Sequence, residues 1–210
     1  SQGKTDLYNQ CLYDSTQWFE MFKYSYNQPM VNNYHWHPAY DLYPIVNISH
    51  QAATEYCKWL TDKYNSNSKR TYKKVSFALP TELDWVHAAN IFTDGKLPWY
   101  GDKGYDVNGK YLCNIKHRRY AQATGTIVDD ISAKTKKDSN EVKLGFITDY
   151  VCDGGFHTII TAHYPANRLG IYDMIGNAAE MIDKDSISMG GHWHSFIEDC
   201  YIDKTETYTG

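Results

Sequence analysis

Aromatic side chains must supply much of the apolar surface that this chain buries on folding. Its 210 residues include 19 Tyr, 6 Trp and 7 Phe, whereas Leu, Ile and Val together number only 33. So few aliphatic residues would indicate disorder in a highly charged chain, but the formal net charge here is only −4. Buried Tyr and Trp also need hydrogen-bond partners for their polar groups. The composition therefore predicts a folded domain with a largely aromatic core.

Charge balance and apolar patterning exclude several classes of protein. The 25 acidic residues outnumber the 21 basic ones, so no general basic field attracts nucleic acid, and the basic run at residues 116–119 is expected to be a solvated turn. Gly and Pro total 20, which excludes collagen-like and low-complexity chains. No apolar stretch reaches the roughly 18 residues of a membrane helix. The length fits one ordinary domain.

The cysteines give no recognisable metal or redox motif. No two of the five form a CxxC pair, which argues against a zinc ribbon and a thioredoxin-like site. An odd number leaves at least one thiol without a partner in this chain, and the sequence leaves the pairing of the others and the redox compartment open. The five are Cys11, Cys57, Cys113, Cys152 and Cys200.

Capping signals and apolar spacing indicate two helices. Ser49 is a favourable N-cap for a helix over residues 50–64, where apolar side chains recur at helical spacing. Thr81 and Asp84 match a capping box, which predicts a second helix over residues 82–90.

The remaining chain is predicted to be short strands and irregular backbone. Residues 45–48 and 75–79 have the composition of short strands. The aromatic residues 1–43 contain prolines and mixed periodicity, which predicts an ordered wrap around the core rather than a helix. Glycines in residues 95–112 indicate turns, and the polar residues 124–142 indicate an exposed loop. The sequence thus predicts a single α+β domain over residues 1–210 with two helices.

Five segments, in order and in register, resemble one known family. They are PIVNISHQAATEYCKWL at 44–60, ALPTELDWVHAA at 78–89, PWYG at 98–101, PANRLGIYDMIGNAAE at 165–180 and MGGHW at 189–193. This pattern closely resembles the formylglycine-generating enzyme, or sulfatase-modifying factor, family. The resemblance spans residues 44–194 and implies that residues 195–210 are an incomplete C-terminal segment. It also implies the family's variant of the C-type-lectin fold, which is rich in irregular backbone.

A narrower resemblance concerns the segment before the family motifs. Residues 26–30 (YNQPM) and 34–44 (YHWHPAYDLYP) are similar to the branch found in gliding-motility and type IX secretion lipoproteins of Bacteroidetes. That branch implies a location in the bacterial periplasm or outer membrane. It implies other envelope or secretion-system proteins as partners, no nucleic acid, and membrane attachment only through a lipid anchor before Ser1.

The family resemblance also implies one or two calcium sites. At the first, the matching positions are the Asn114 and Asp153 side chains with the Ile115 and Phe156 carbonyls, although one extra glycine could shift the last by one residue. At the second they are the Asp173 and Glu180 side chains with the Gly176 and Ala178 carbonyls. Calcium prefers such oxygen ligands, and it stabilises irregular backbone by joining loops. The alternative is that these residues only form turns.

The family's enzymes hold copper(I) with two cysteines five residues apart, after the GGS motif. By that spacing Ser195 stands at the first cysteine position and Cys200 at the second, and His192 replaces the motif serine. A neutral hydroxyl is a poor ligand for soft Cu(I), so copper-dependent formylglycine formation is not expected. The HxxxHxE motif of related iron enzymes is absent from the sequence. If the chain is active, the candidates are Cys200, His192, His194 and Ser195.

Two histidine pairs offer a further metal-site hypothesis. His35 and His37, and likewise His192 and His194, would share one side of an extended strand and could bind a metal if the pairs converged. We favour the simpler interpretation that they pack beside Trp36 and Trp193.

Three functional hypotheses follow from the sequence. The leading one is a non-catalytic, calcium-stabilised structural or binding component of a cell-envelope assembly. The second is a metal-dependent oxidoreductase acting on a peptide or small-molecule thiol. The third is a lectin-like binder of glycan or peptide, since Tyr and Trp are frequent in binding hot spots.

Overall fold

Helices occupy the first half of the chain and two small sheets the second. The computed structural model describes residues 2–21, 23–24, 27–90, 95–99, 101–121, 127–129 and 146–208. The α-helices are α1 Gln2–Gln10, α2 Gln17–Met21, α3 Gln28–Asn33, α4 His50–Ser66 and α5 Glu82–Asn90. Single 3-10 turns cover Pro38–Tyr40 and Ile197–Asp199. The strands are β1 His117–Ala121, β2 Ile127–Asp129, β3 Phe146–Asp149, β4 Glu180–Met181, β5 Ile187–Met189 and β6 Thr205–Thr207.

Both sheets are antiparallel and three-stranded. The first has the order β2-β1-β3 and the second the order β4-β5-β6. A single parallel bridge between Asn114 and Gly176 joins the segment before β1 to the loop before β4. That bridge brings together the two regions for which the sequence predicts calcium ligands.

The main core is more aliphatic than the composition predicts. Trp85 is its large aromatic residue, and Leu97, Ile115, Ile175 and Ile182 are all at most 2% exposed. Many tyrosines, in contrast, are partly or wholly exposed, among them Tyr8, Tyr24, Tyr56 and Tyr72. The prediction of a largely aromatic core is therefore wrong for this cluster, because the few aliphatic residues are concentrated in it.

A second, aromatic cluster attaches the N-terminal segment to the rest of the domain. It contains buried Trp18, Tyr34 and Trp193. The Tyr34 hydroxyl donates to the Pro44 carbonyl at 2.6 Å and lies 2.9 Å from Thr158 Oγ1. This cluster has the Tyr and Trp packing that the composition predicts, and the Tyr34 hydroxyl has partners, whereas the Trp18 Nε1 group is buried without one among the described residues.

Both helices predicted from capping signals are confirmed. The Ser49 hydroxyl accepts a hydrogen bond from the Ala52 amide at 3.1 Å, and α4 extends two residues beyond the predicted end. The Thr81 hydroxyl accepts from the Asp84 amide, while the Asp84 carboxylate accepts from the Thr81 amide, as a capping box requires.

The strands predicted over residues 45–48 and 75–79 are wrong. Asn47 has a φ of 58°, which interrupts an extended run. In the second segment, side chains of α4 take the backbone hydrogen bonds that a neighbouring strand would make. Asn65 Oδ1 accepts from the Val75 amide at 3.0 Å, and Thr61 Oγ1 accepts from the Phe77 amide at 2.8 Å.

Two further expectations need correction. The N-terminal wrap contains three helices, and in α3 the proline lies in the first turn, where a missing N–H costs nothing. Residues 116–119 are not a solvated turn: three belong to β1, where Arg118 pairs with Glu198 at 2.8 Å and Arg119 with Asp149 at 2.9 Å. Most of the predicted loop at 124–142 lies outside the described residues, and residues 127–129 within it form β2.

No helix in the described part of the chain is both long and apolar enough to span a membrane.

Candidate functional site

The loop from Asp173 to Glu180 is tightly turned and held to two other segments. Asp173, Gly176 and Asn177 have φ angles of 55°, 73° and 61°, all in the left-handed region. Asn and Asp tolerate this region better than other side chains, and Gly adopts it freely. The Asn177 side chain bonds both the amide and the carbonyl of Ile159, and its own amide donates to the Asn114 carbonyl.

Burial dominates the environment of two carboxylates of this loop, and it outweighs the opposing effects of His163 on the pKa of Asp173 and of Trp85 on the pKa of Glu180. Asp173 Oδ2 accepts from the Ala162 amide at 2.7 Å, but Asp173 Oδ1 and Glu180 Oε2 have no hydrogen-bond partner among the described residues. Burial raises the pKa of Glu180 well above its usual range, and the negative charge of Asp173 adds to the effect. Burial also raises the pKa of Asp173. A buried unpaired charge is costly, and either a retained proton or a bound cation removes that cost, so this loop is a candidate cation site.

The donors of this loop fit calcium. The Asp173 and Glu180 carboxylates, with the backbone carbonyls of Gly176 and Ala178, form an oxygen-only set with two negative charges, as Ca²⁺ prefers. A cavity of about 70 Å³ lies beside Asp173 and is lined also by Trp99 and Ile171. A bound Ca²⁺ would neutralise both carboxylates and join the loop to β4.

Gly190, which the ligand prediction did not include, packs closely against Glu180 and Met174. A Cβ atom on Gly190 would lie 2.5 Å from Glu180 Oε2 and 2.6 Å from the Met174 carbonyl oxygen, and Gly190 has a φ of 82°. The Gly176 amide donates to the Gly190 carbonyl at 2.9 Å. The glycine pair at 190–191 was visible in the sequence, but its contact with a residue ten positions earlier was not.

The first predicted set of ligands differs from the second in its hydrogen bonding. The Asp153 carboxylate is fully buried, and it accepts from the Ile115 amide at 2.7 Å, from His117 Nε2 at 3.1 Å and from the Gly155 amide at 3.2 Å. Sequence reasoning missed His117, because nothing local connects residues 36 positions apart. Asn114 is fully buried as well, and its Oδ1 has no partner among the described residues.

Phe156, the fourth member of that set, has a 42% exposed side chain whose ring packs edge-on against His157. Gly155 is the residue that packs against Asn114, since a Cβ there would lie 2.8 Å from Asn114 Nδ2.

The Ser195–Cys200 segment is a compact turn with one buried thiol. Ser195 Oγ accepts from the His192 amide at 3.1 Å, and the Ser195 amide donates to the His192 carbonyl at 2.8 Å. The Cys200 thiol has no exposed surface and donates to the Phe196 carbonyl at 3.3 Å. Burial raises the pKa of Cys200, so the reactive thiolate is disfavoured. A Cβ on Gly191 would collide with Cys200 Sγ.

With this geometry established, comparison with known proteins identifies the family. A model of the sulfatase-modifying factor enzyme 1-like domain (FGE-sulfatase) matches residues 8–201. The chain belongs to this family. Its α+β fold, with few helices and short strands, is the family's variant of the C-type-lectin fold, as the sequence predicts.

One solved structure similar to this FGE-sulfatase domain is PvdO from Pseudomonas aeruginosa. The two share 15% sequence identity with a TM-score of 0.49. The aligned region covers 80% of this chain and 57% of the PvdO chain, so the domain spans little more than half of that protein. No curated protein sequence matches the chain.

In this FGE-sulfatase domain the histidines near Ser195 pack against other groups rather than converging on a metal. The His192 and His194 rings stack with centroids 6.2 Å apart. His192 Nε2 lies 3.5 Å from Glu206 Oε1, and the His194 ring stacks on Tyr150 at 5.2 Å. Burial, together with neighbouring Lys116, lowers the pKa of His194 to about 4, so this ring is neutral at physiological pH.

His35 and His37, the other histidine pair, also contact neighbouring groups of the protein. The His35 ring stacks on Tyr13 with centroids 3.8 Å apart, while His37 Nδ1 accepts from the Ala39 amide. Within the described ranges, no group of three or more His, Cys, Asp or Glu side chains is placed to hold a metal ion. Calcium in the Asp173–Glu180 loop would therefore depend on backbone carbonyls as well as the two carboxylates.

Proposed function

We propose that this FGE-sulfatase domain is a non-catalytic, calcium-stabilised structural or binding component of a bacterial cell-envelope assembly. The proposal that the domain is non-catalytic rests on the geometry of the Ser195–Cys200 segment. Where the family's enzymes hold Cu(I) between two thiolates, this chain has a hydroxyl engaged in a turn and a thiol without exposed surface. Soft Cu(I) needs both sulfur ligands, so the family's oxidation chemistry has no metal centre here.

The calcium part rests on charge. One carboxylate oxygen of Asp173 and one of Glu180 are buried and make no hydrogen bond within the described part of the chain, and both groups have raised pKa values. A calcium ion is the simplest partner for two such carboxylates, and it would stabilise a loop that hydrogen-bonds to the 190–193 segment through Gly176 and Asn177.

Copper binding tests the non-catalytic part. We expect the reduced protein to leave a Cu(I)–bicinchoninate complex intact, because only one thiol stands at the two family positions. The matched variant is Ser195→Cys, which supplies the second thiol. Absorbance of the bicinchoninate complex is the measurement.

The other thiols make a second variant necessary, since Cys11, Cys57 and Cys152 are only partly buried and could take up copper weakly. Cys200→Ser should behave as the wild-type chain does. The oxidoreductase hypothesis would be restored by a different pair of results. In that case the wild-type chain would take one equivalent of Cu(I) from bicinchoninate, and Cys200→Ser would take none.

The envelope part rests on the resemblance of residues 26–30 and 34–44 to the gliding-motility and type IX secretion branch. We expect the full-length protein to fractionate with the periplasm or the outer membrane of the bacterium that encodes it, and to co-purify with envelope proteins after mild crosslinking. Immunoblots of separated fractions are the measurement. Recovery in the cytosolic fraction alone would contradict this part and leave the copper result standing.

A further inference from the structure

We propose that the Asn114–Asp153 site takes no calcium, because N–H donors, His117 among them, already satisfy the Asp153 carboxylate. The inference deepens the proposed function, on which it rests: calcium stabilises this domain through the Asp173–Glu180 loop alone. The family resemblance implies ligands at both places, so the two sites can be compared within one chain.

The Asp153 carboxylate is surrounded by hydrogen-bond donors. An ionised carboxylate only accepts, so His117 Nε2 at 3.1 Å must carry the hydrogen of that bond. With the amides of Ile115 and Gly155, three donors occupy three of the roughly four lone-pair positions of this carboxylate. Both positions on Oδ2 are filled, which leaves one position on Oδ1.

The side chains that form this arrangement are held in place by their surroundings. The His117 side chain is only 11% exposed and that of Asp153 is fully buried. The Tyr111 ring packs on His117 with centroids 4.8 Å apart, and the Tyr164 hydroxyl donates to the Asp153 carbonyl at 2.9 Å. To bind a cation strongly through Oδ2, Asp153 would have to displace a packed imidazole.

Asn114 does not alter this conclusion. Its Oδ1 is buried without a partner, but its Nδ2 donates to the His157 carbonyl at 2.8 Å, so the amide is fixed. Leaving a neutral amide oxygen without a partner costs far less than leaving an ionised carboxylate without one. It therefore creates a much weaker requirement for a cation.

The contrast with the second loop is one of charge. The Asn114–Asp153 set supplies one carboxylate, with three donors on it, whereas the Asp173–Glu180 set supplies two carboxylates and leaves an oxygen of each free. Calcium affinity depends strongly on the number of charged ligands. The geometry thus assigns the cation to the second loop and the imidazole N–H to the first.

Isothermal titration of the chelator-stripped chain with CaCl₂ tests this assignment. We expect one equivalent to bind to the wild-type chain, binding to be lost in Glu180→Gln, and one equivalent still to bind to Asp153→Asn. Asp173→Asn is the second variant if Glu180→Gln does not fold. His117→Ala is expected to gain a weaker second binding event, since it frees Asp153 Oδ2.

Each outcome decides between the inference and the proposed function. Two equivalents in the wild-type chain, or one that survives Glu180→Gln and disappears in Asp153→Asn, would overturn the inference. No binding to the wild-type chain would support the empty first site and overturn the calcium part of the proposed function. An unchanged stoichiometry in His117→Ala would show that the imidazole is not what closes the site.

Discussion

Gly176→Ala is expected to destabilise the domain by about 3–5 kcal/mol and to lower Tm by roughly 8–15 °C. Gly176 has a φ of 73°, where an L side chain costs about 1–2 kcal/mol. The new methyl group would also collide with the Asn114 carbonyl oxygen and lie 2.7 Å from Ile115 Cγ2. A backbone atom cannot rotate away as a side chain can, so the bridge between Asn114 and Gly176 would have to open.

Gly170→Ala is the matched control, since Gly170 has nearly the same φ, 78°, but no atom within 4 Å of its Cβ position. It should cost only the backbone strain of about 1–2 kcal/mol. Urea unfolding of both variants, in excess calcium, gives the two free energies. Equal losses would mean that the contact with residues 114–115 does not constrain the loop.

Removal of calcium is expected to lower the Tm of the wild-type chain by roughly 5–10 °C. A ligand at about 100 times its Kd stabilises the folded state by about 2.7 kcal/mol, and each kcal/mol is worth about 2–4 °C in a chain of this size. Differential scanning calorimetry with CaCl₂ and with EGTA is the measurement. Glu180→Gln should show little difference between the two conditions, because the amide removes a charged ligand while keeping the shape of the side chain.

The calcium-free chain should also have a distinctive pH dependence. Burial raises the pKa values of Asp173 and Glu180 above their ordinary 3.8 and 4.5, so the folded chain keeps protons that the unfolded chain has released. Stability is then fully present below these ordinary values and falls as pH rises towards the raised ones. Calcium should reduce the loss, because it pairs with the ionised carboxylates. A calcium-free stability that rises from pH 5 to 8 and is unaffected by Glu180→Gln would contradict the assignment.

Local signals explain why some elements could be predicted from sequence and others could not. The Thr81–Asp84 capping box and the Ser49 cap involve residues three positions apart, so the helices that they begin were predicted correctly. Residues 75–79 have a strand-like composition, but Thr61 and Asn65 satisfy part of their backbone. Nothing in a strand-like segment shows that its partner will be a helix side chain instead of another strand.

The same distinction applies to the candidate site. Asp173 and Glu180 lie within one motif, so their proximity follows from a short, tightly turned loop. The pairing of His117 with Asp153 and the packing of Gly190 on Glu180 depend on contacts across the fold. The family resemblance predicts which carboxylates bind calcium, and the structure shows which of these carboxylates accept hydrogen bonds from donors on other segments.

The aromatic cluster around Tyr34 also constrains the order in which the chain can fold during synthesis. Tyr34 contacts Thr158 and shares its cluster with Trp193, so the N-terminal helices α2 and α3 must wait until most of the chain has left the ribosome. At about 5–20 residues per second, synthesis of the roughly 120 residues from Tyr34 to Thr158 takes about 6–25 s. During that time Trp18 and Tyr34, which are later buried, are exposed to water, and chaperones that recognise aromatic surface could bind this segment before the rest of the domain has formed.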